Sequence, residues 1–245
     1  MRSGRNHPSS AALSGRGVER VADLSAWTGV PRPGRVVLDG RYARLEPLDA
    51  ARHGADLLRV AQAEGAEARF RYLAEEPPAD RDSFERWLLP AAASADPLFF
   101  AVVDRETGRA EGRQALMRID PAHGVIEIGG ILWGPAIART RIATEAAYLS
   151  ARHVFDTLGY RRFEWKCDEG NEASKRAARR FGFAFEGVFR QHMVVKARNR
   201  DTTWFAMTDG DWQRLRSGYE AWLRPENFDA EHRQKRGLML SFDTR

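Results

Sequence analysis

The sequence predicts a mixed α/β domain: one mixed sheet with helices on both faces. Three observations predict it. Apolar runs such as Val125–Trp133 alternate with stretches of helical period. The elements read in the order β-αα-β-β-β-α-β-α-β-β, which gives neither a pure βα repeat nor an all-β pattern. Hydrophobic residues make up 43% and charged residues 30% of 245, enough for a sizeable core.

Residues 1–21 are rich in Arg, Ser and Gly without a period and read as a disordered extension with no secretory signal. Residues 22–38, with prolines at 31 and 33, read as an arm over the domain, with Leu24 and Trp27 as its anchors. The domain itself is expected over 39–224. Asp39-Gly40 is a hairpin signal, and a first strand is expected near Arg41–Pro47. Asp49 caps a helix in which His53, Leu57 and Ala61 recur, with His53 on its surface or capping it. A loose region precedes a second helix over Asp80–Ala92, which carries Phe84, Trp87 and Leu88 on one face.

Residues 98–104 and 109–119 read as strands joined by a hairpin at Glu106-Thr107-Gly108. A turn at Asp120–Gly124 leads into Val125–Trp133, whose single acid is Glu127. The helical pattern 141–159 follows, then a strand over 161–169 and a second helix from Asn171. The alternation of Glu164 and Lys166 with Phe163 and Trp165 predicts a strand buried on one face. Lys175, Arg176, Arg179 and Arg180 read as a basic helix face opposite Ala173 and Ala177. Two long strands are expected to join across Arg198–Arg200, and a helix to open at Asp211. Residues 225–245 form a charged tail.

Composition excludes some functions. No apolar run approaches the roughly 20 residues of a membrane helix. The single cysteine, Cys167, excludes an internal disulfide framework and suits a reducing, cytoplasmic setting, where it reads as a small buried hydrophobe. No metal-ligand spacing is present. A net charge of +5 suits an anionic cofactor, an acidic partner or nucleic acid equally. Nucleic-acid binding ranks last, because no aromatic-basic platform accompanies the charge. A strand feeding a helix N-terminus, as at 125–144, is a ready anion site, since the first-turn amides lack partners.

The element order and several strings together resemble the GNAT superfamily of acyl-CoA-dependent N-acetyltransferases, and within it the RimJ/RimL-like branch. The matching text is GRYARLEPLD at 40–49, VIEIGGILWGP at 125–135 with TEA at 144–146, and Asn171-x-x-Ser174 running to Gly182-Phe183. The segment from Lys196 through RDTTWFAMTDGDW closes it.

The resemblance implies the acyl-CoA N-acyltransferase fold, a mixed, mostly antiparallel sheet splayed between its fourth and fifth strands, with the thioester arm of acetyl-CoA in the gap. It places backbone groups of Ile131, Leu132 and Trp133 against the pantetheine, with an amide near Leu132 as oxyanion donor. The pyrophosphate is placed on amides of Arg139, Thr140, Arg141, Ile142, Ala143 and Thr144. The family loop, Gln/Arg-x-x-Gly-x-Gly/Ala, is matched here at Ala143 alone, and Arg141 stands in a glycine position. Arg139 and Arg141 either clamp phosphate or obstruct it; the helix terminus itself favours retained binding.

Glu127 is the expected general base, its pKa raised by apolar neighbours, with an ion-paired or solvated carboxylate as the bland alternative. The family's proton-returning tyrosine is replaced by Ala178. Ser174 is the substitute candidate, or simply a helix-start hydroxyl. Asn171 caps that helix and is a candidate cofactor contact. The acceptor is expected to be a primary amine, a protein N-terminus or a small molecule, with the oligomeric state open and a homodimer as one candidate. The competing reading is a degenerate GNAT fold that binds acyl-CoA or a partner without turnover. Acceptor walls are expected from 50–93 and 195–202, with Arg69, Arg71, Tyr72 and His192 as candidates.

Overall fold

A computed structural model describes residues 23–240; the proposed N-terminal extension lies outside the described residues. Eight strands form one sheet in the order β1-β2-β3-β4-β5-β6-β8-β7. The strands are β1 (Leu38–Asp39), β2 (Ala43–Pro47), β3 (Leu98–Asp104), β4 (Ala110–Asp120), β5 (Val125–Trp133), β6 (Arg162–Asp168), β7 (Ala184–Val195) and β8 (Arg198–Thr208). All neighbours are antiparallel except β5 and β6.

One face is covered by α1 (Ala50–Gln62), α2 (Ala66–Phe70) and α3 (Arg81–Ala93); the other by α4 (Arg141–Arg152), α5 (Glu172–Arg180) and α6 (Asp209–Trp222). The core is accordingly split in two. Ile126, Ile128, Phe163 and Trp165 pack with α4 and α6, whereas Phe99, Ala101, Val103 and Leu132 pack with α1 and α3. Each such large side chain contributes about 1.5–3 kcal/mol relative to exposure.

The helices begin where capping chemistry places them. Asp49 and Asp80 accept from the amides of Arg52 and Ser83 at 2.8 and 2.7 Å. Thr208 and Asp211 form a reciprocal capping box, so α6 starts at Asp209, two residues before the sequence signal. α4 is Ala-rich and buried at every position from Ala143 to Ala151, because it lies between the sheet and α6. Its helical pattern continues as a π-helical turn over His153–Thr157.

Four expectations need correction. The β7–β8 turn is Lys196-Ala197, both in the left-handed region (φ 50° and 57°), as a tight two-residue hairpin requires, and β8 has already begun at Arg198. His53 caps the helix start, one of its two expected placements, its Nδ1 accepting from the Asp49 amide, but it is buried and not on the surface, with its Nε2 3.0 Å from Glu46 Oε2. Leu24 is exposed; Trp27 anchors the arm, donating from Nε1 to Ala122 O at 2.7 Å, together with Val30, whose amide donates to Pro121 O at 3.0 Å, and Arg35, which donates to Leu48 O at 2.6 Å. The loose region contains α2, which ends in buried Phe70.

Candidate functional site

β5 and β6 are paired from Val125↔Arg162 to Ile128↔Trp165 and no further. Beyond Ile128 the two strands part. The cause lies in β5: between Ala115↔Gly129 and Arg113↔Leu132, two β5 residues face the single Gln114 of β4, a bulge that bends the strand. Gly130 there has φ +56°, and a Cβ on it would meet the Phe99 ring at 2.8 Å. Arg113 Nη1 donates to Gly130 O at 2.9 Å, with its guanidinium stacked 4.0 Å from Trp87 and paired with Glu75. The bulge also reverses the alternation, turning Leu132 toward α1 and α3 and Ile131 and Trp133 toward α4.

Glu127 stands three residues before Gly130 of the bulge and is 4% exposed. Its Oε2 lies 3.0 Å from Lys166 Nζ and 3.1 Å from Arg118 Nε, although neither contact has hydrogen-bond geometry. Oε1 lies 3.4 Å from where a Cβ would stand on Gly129, the first residue beyond the pairing. Burial pushes the Glu127 carboxyl above its ordinary value, and Lys166 and then Arg118 oppose the rise. Lys166 also lies 2.6 Å from Glu164 and 3.7 Å from the Trp204 ring centroid. The face of β6 expected to meet solvent is thus buried, because its charges neutralise one another beneath Trp204.

Neither Arg118 nor Lys166 is among the site residues expected from the sequence, where Lys166 is only one of the polar positions of its strand. Lys166 shares the face of Glu164, and the parallel register places Glu164 beside Glu127; the register is what the sequence lacks. Arg118 reaches Glu127 from a second bulge, between Met117↔Glu127 and Asp120↔Val125, with φ +48° and its amide held by Asp96 at 2.8 Å.

On the α4 side, a cavity of about 1400 Å³ opens between the start of α4 and the side of α5. Thr140 caps α4, accepting from the Ile142 amide at 3.1 Å. The amides of Arg139, Arg141 and Ala143 make no backbone hydrogen bond among the described residues. Arg139 has φ +65°, a conformation that a glycine would adopt without strain. Arg139, Arg176 and Arg180 face the cavity together with Ala173 and Ala177. Arg180 Nη1 donates to Thr144 Oγ1 at 3.1 Å, and surrounding protein lowers its pKa; it has no carboxylate partner among the described residues. An exposed guanidinium without a carboxylate partner among the described residues, beside unpaired helix-start amides, fits a phosphate-bearing group.

The basic face of α5 is therefore divided, since Lys175 turns away to Glu169 and Glu172 at 3.0 and 2.6 Å. Arg141 also lines the cavity, but its guanidinium lies over Tyr42 at 4.3 Å. Trp133 lines the cavity too, and its Nε1 donates to Gln114 Oε1 at 3.1 Å.

Ser174 Oγ accepts from Trp165 Nε1 at 2.9 Å, at the last paired residue of β6. Asn171 caps α5, accepting from the Ser174 amide at 3.1 Å. Cys167 is buried, which raises its thiol pKa. A smaller cavity of about 240 Å³ lies on the opposite face, between Leu132, Leu57, Phe84 and Trp87.

Of the acceptor-wall candidates, Arg69 caps α1 by donating to Ala63 O at 2.6 Å, and Tyr72 donates to Gly170 O at 2.9 Å. Arg71 lies over the Tyr72 ring, and His192 Nδ1 lies 3.0 Å from Thr202 Oγ1. The two expected walls meet where Lys196 Nζ donates to Glu76 at 2.9 Å and to Phe70 O at 3.0 Å.

The sequence profile of the acetyltransferase (GNAT) domain matches residues 44–184. A GCN5-related N-acetyltransferase from Brucella melitensis is 58% identical, with a TM-score of 0.86 over 88% of this chain and 97% of its own. A probable acetyltransferase of the GNAT family from Chromobacterium violaceum is 41% identical, with a TM-score of 0.71 over 86% of this chain and 100% of its own. The Salmonella typhimurium acetyl transferase that modifies the N-terminal serine of ribosomal protein L7/L12 is 17% identical at a TM-score of 0.62, a likeness of fold, over 71% of this chain and 99% of its own. No protein of curated function matches. With its parted strands, its phosphate-ready helix start and a profile match over more than half its length, the chain belongs to the GNAT family and is an acetyl-CoA-dependent N-acetyltransferase.

Proposed function

We propose that this enzyme transfers acetyl to a primary amine, a protein N-terminus or a small amine, with Glu127 as general base. The observation that carries the reading is the asymmetry of the Glu127 carboxylate. Oε2 is occupied by two cations, whereas Oε1 faces the residue at which β5 leaves β6. An acceptor approaching from the α1–α3 face meets Oε1 first.

Acetyl-CoA supplies an activated thioester carbonyl. The unpaired amides of Arg139, Arg141 and Ala143, with Arg180, would hold its phosphates. Ile131, Leu132 and Trp133 would lie along its arm, with a Leu132 amide as oxyanion donor. Glu127 takes the proton from the incoming ammonium or amine, and its raised pKa brings it nearer working pH. Ser174, whose oxygen is held by the Trp165 indole, keeps a hydroxyl hydrogen to offer a leaving thiolate, and Asn171 fixes the turn that presents it. Assignment to the RimJ/RimL-like branch rests on the motifs at 40–49, 125–135 with 144–146, and Asn171 to Phe183, and on the closing segment 196–212. A cytoplasmic site of action agrees with the lone buried Cys167.

The test is thiol release from acetyl-CoA over a panel of N-terminal peptides and small amines. Turnover with at least one acceptor is expected. Binding of acetyl-CoA without turnover over the whole panel would turn the reading into that of a non-catalytic binder.

A further inference from the structure

The C-terminal segment beyond α6 closes on itself and then on the phosphate cavity. Pro225–Asn227 form a 3-10 turn, and Asn227 Nδ2 donates to Trp222 O at 3.0 Å, while its Oδ1 accepts from the Arg236 amide at 2.9 Å. Phe228 bridges Gln234, and Gln234 Oε1 accepts from Trp222 Nε1 at 3.1 Å. The loop so closed turns Phe228 and residues 231–234 into the cavity, across from the start of α4.

Arg141 joins this loop to the domain. Its guanidinium lies 4.3 Å from the Tyr42 ring centroid and 5.5 Å from that of Phe228, and those rings meet edge-on at 5.5 Å. Glu106, at the β3–β4 turn, lies 3.8 Å from Arg141 and 3.9 Å from His232. Tyr42 is fixed in turn, because its amide donates to Glu145 on α4. A guanidinium packed against two rings and flanked by a carboxylate is spent on those contacts.

We propose that residues 228–234 form a further wall of the cofactor cavity, and that Arg141, in the position of a family glycine, is the latch that fixes this wall and not a phosphate clamp. The inference rests on the cavity taking the phosphate-bearing part of CoA. It explains how a bulky side chain is accommodated at the loop: its charged end leaves the phosphate site for Tyr42 and Phe228.

The test uses full-length protein and CoA in calorimetry, with Arg141→Gln, Phe228→Ala and the double variant. Each single change is expected to weaken CoA binding about tenfold or more, and the double variant to be little worse than either, since both break one latch. Thermal melting checks folding, and limited trypsin digestion followed by mass spectrometry reads the wall directly. In wild-type protein, CoA should slow cleavage after Arg233 and Lys235, and in folded Phe228→Ala it should not. Loss of affinity in Arg141→Gln with none in Phe228→Ala would mark Arg141 as a clamp, and a gain in Arg141→Gln would mark it as an obstruction; either overturns the proposal. CoA binding by wild type with unchanged tail cleavage would overturn it as well. Failure of wild type to bind CoA would instead bring down the cofactor reading beneath it.

Discussion

Two glutamates of this chain are equally buried, and they could hardly be treated more differently. Glu145 on α4 is 4% exposed and accepts from three successive amides, those of Arg41, Tyr42 and Ala43, at 2.8, 2.5 and 2.6 Å. The approach is so close that a Cβ on Gly40 would stand 2.6 Å from the carboxylate. Glu127, also 4% exposed, has two cations near one oxygen and no well-formed hydrogen bond on it. Saturation separates them: a carboxylate whose lone pairs are filled by backbone amides ties elements together, whereas one left desolvated and under-bonded can exchange a proton.

The sharpest way to break this comparison is to remove each proton acceptor in turn. Glu127→Gln should lower kcat about 10²- to 10⁴-fold while CoA affinity and melting temperature stay near wild type. Unchanged turnover in the thiol-release assay would remove Glu127 from the chemistry. Glu145→Ala should act on stability, costing about 3 kcal/mol or more by chemical denaturation, because three amides lose their acceptor in a buried turn. A Glu145 variant of wild-type stability would erase the distinction.

Lys166→Met sharpens the electrostatic half. Burial raises the Glu127 carboxyl and Lys166 opposes it, so activity that needs the carboxylate is lost as pH falls through that raised value. Without Lys166 the value rises further, and the acid limb of kcat/KM against pH should move to higher pH. A limb that stays in place would show that another group sets it. The smallest effect is expected at the helix start: Arg139→Gly should relieve a left-handed backbone by about 1 kcal/mol or less, read as a slightly higher Tm.

Much of the fold was legible because period, caps and turns are local. Asp49, Asp80 and Asn171 cap the helices that their positions announce. Misplaced boundaries have local causes too: Lys196-Ala197 adopts a turn geometry usually marked by Asn-Gly, so the signal was missing. Strict alternation through 125–133 would have placed Ile131 and Trp133 with Glu127. The bulge at Gly130 puts them on the α4 face instead.

By itself, then, the sequence determined the element order, the caps, the family and the identity of the buried acid on the central strand, since these follow from side-chain chemistry at short separation. The tertiary structure alone decided that Lys166 and Arg118 both lie against Oε2 of Glu127, and that Arg141 turns to Tyr42 and Phe228. The physical reason is that charge environment depends on distances between strands and loops remote in the chain, and register, bulges and the return of the C-terminal segment set those distances.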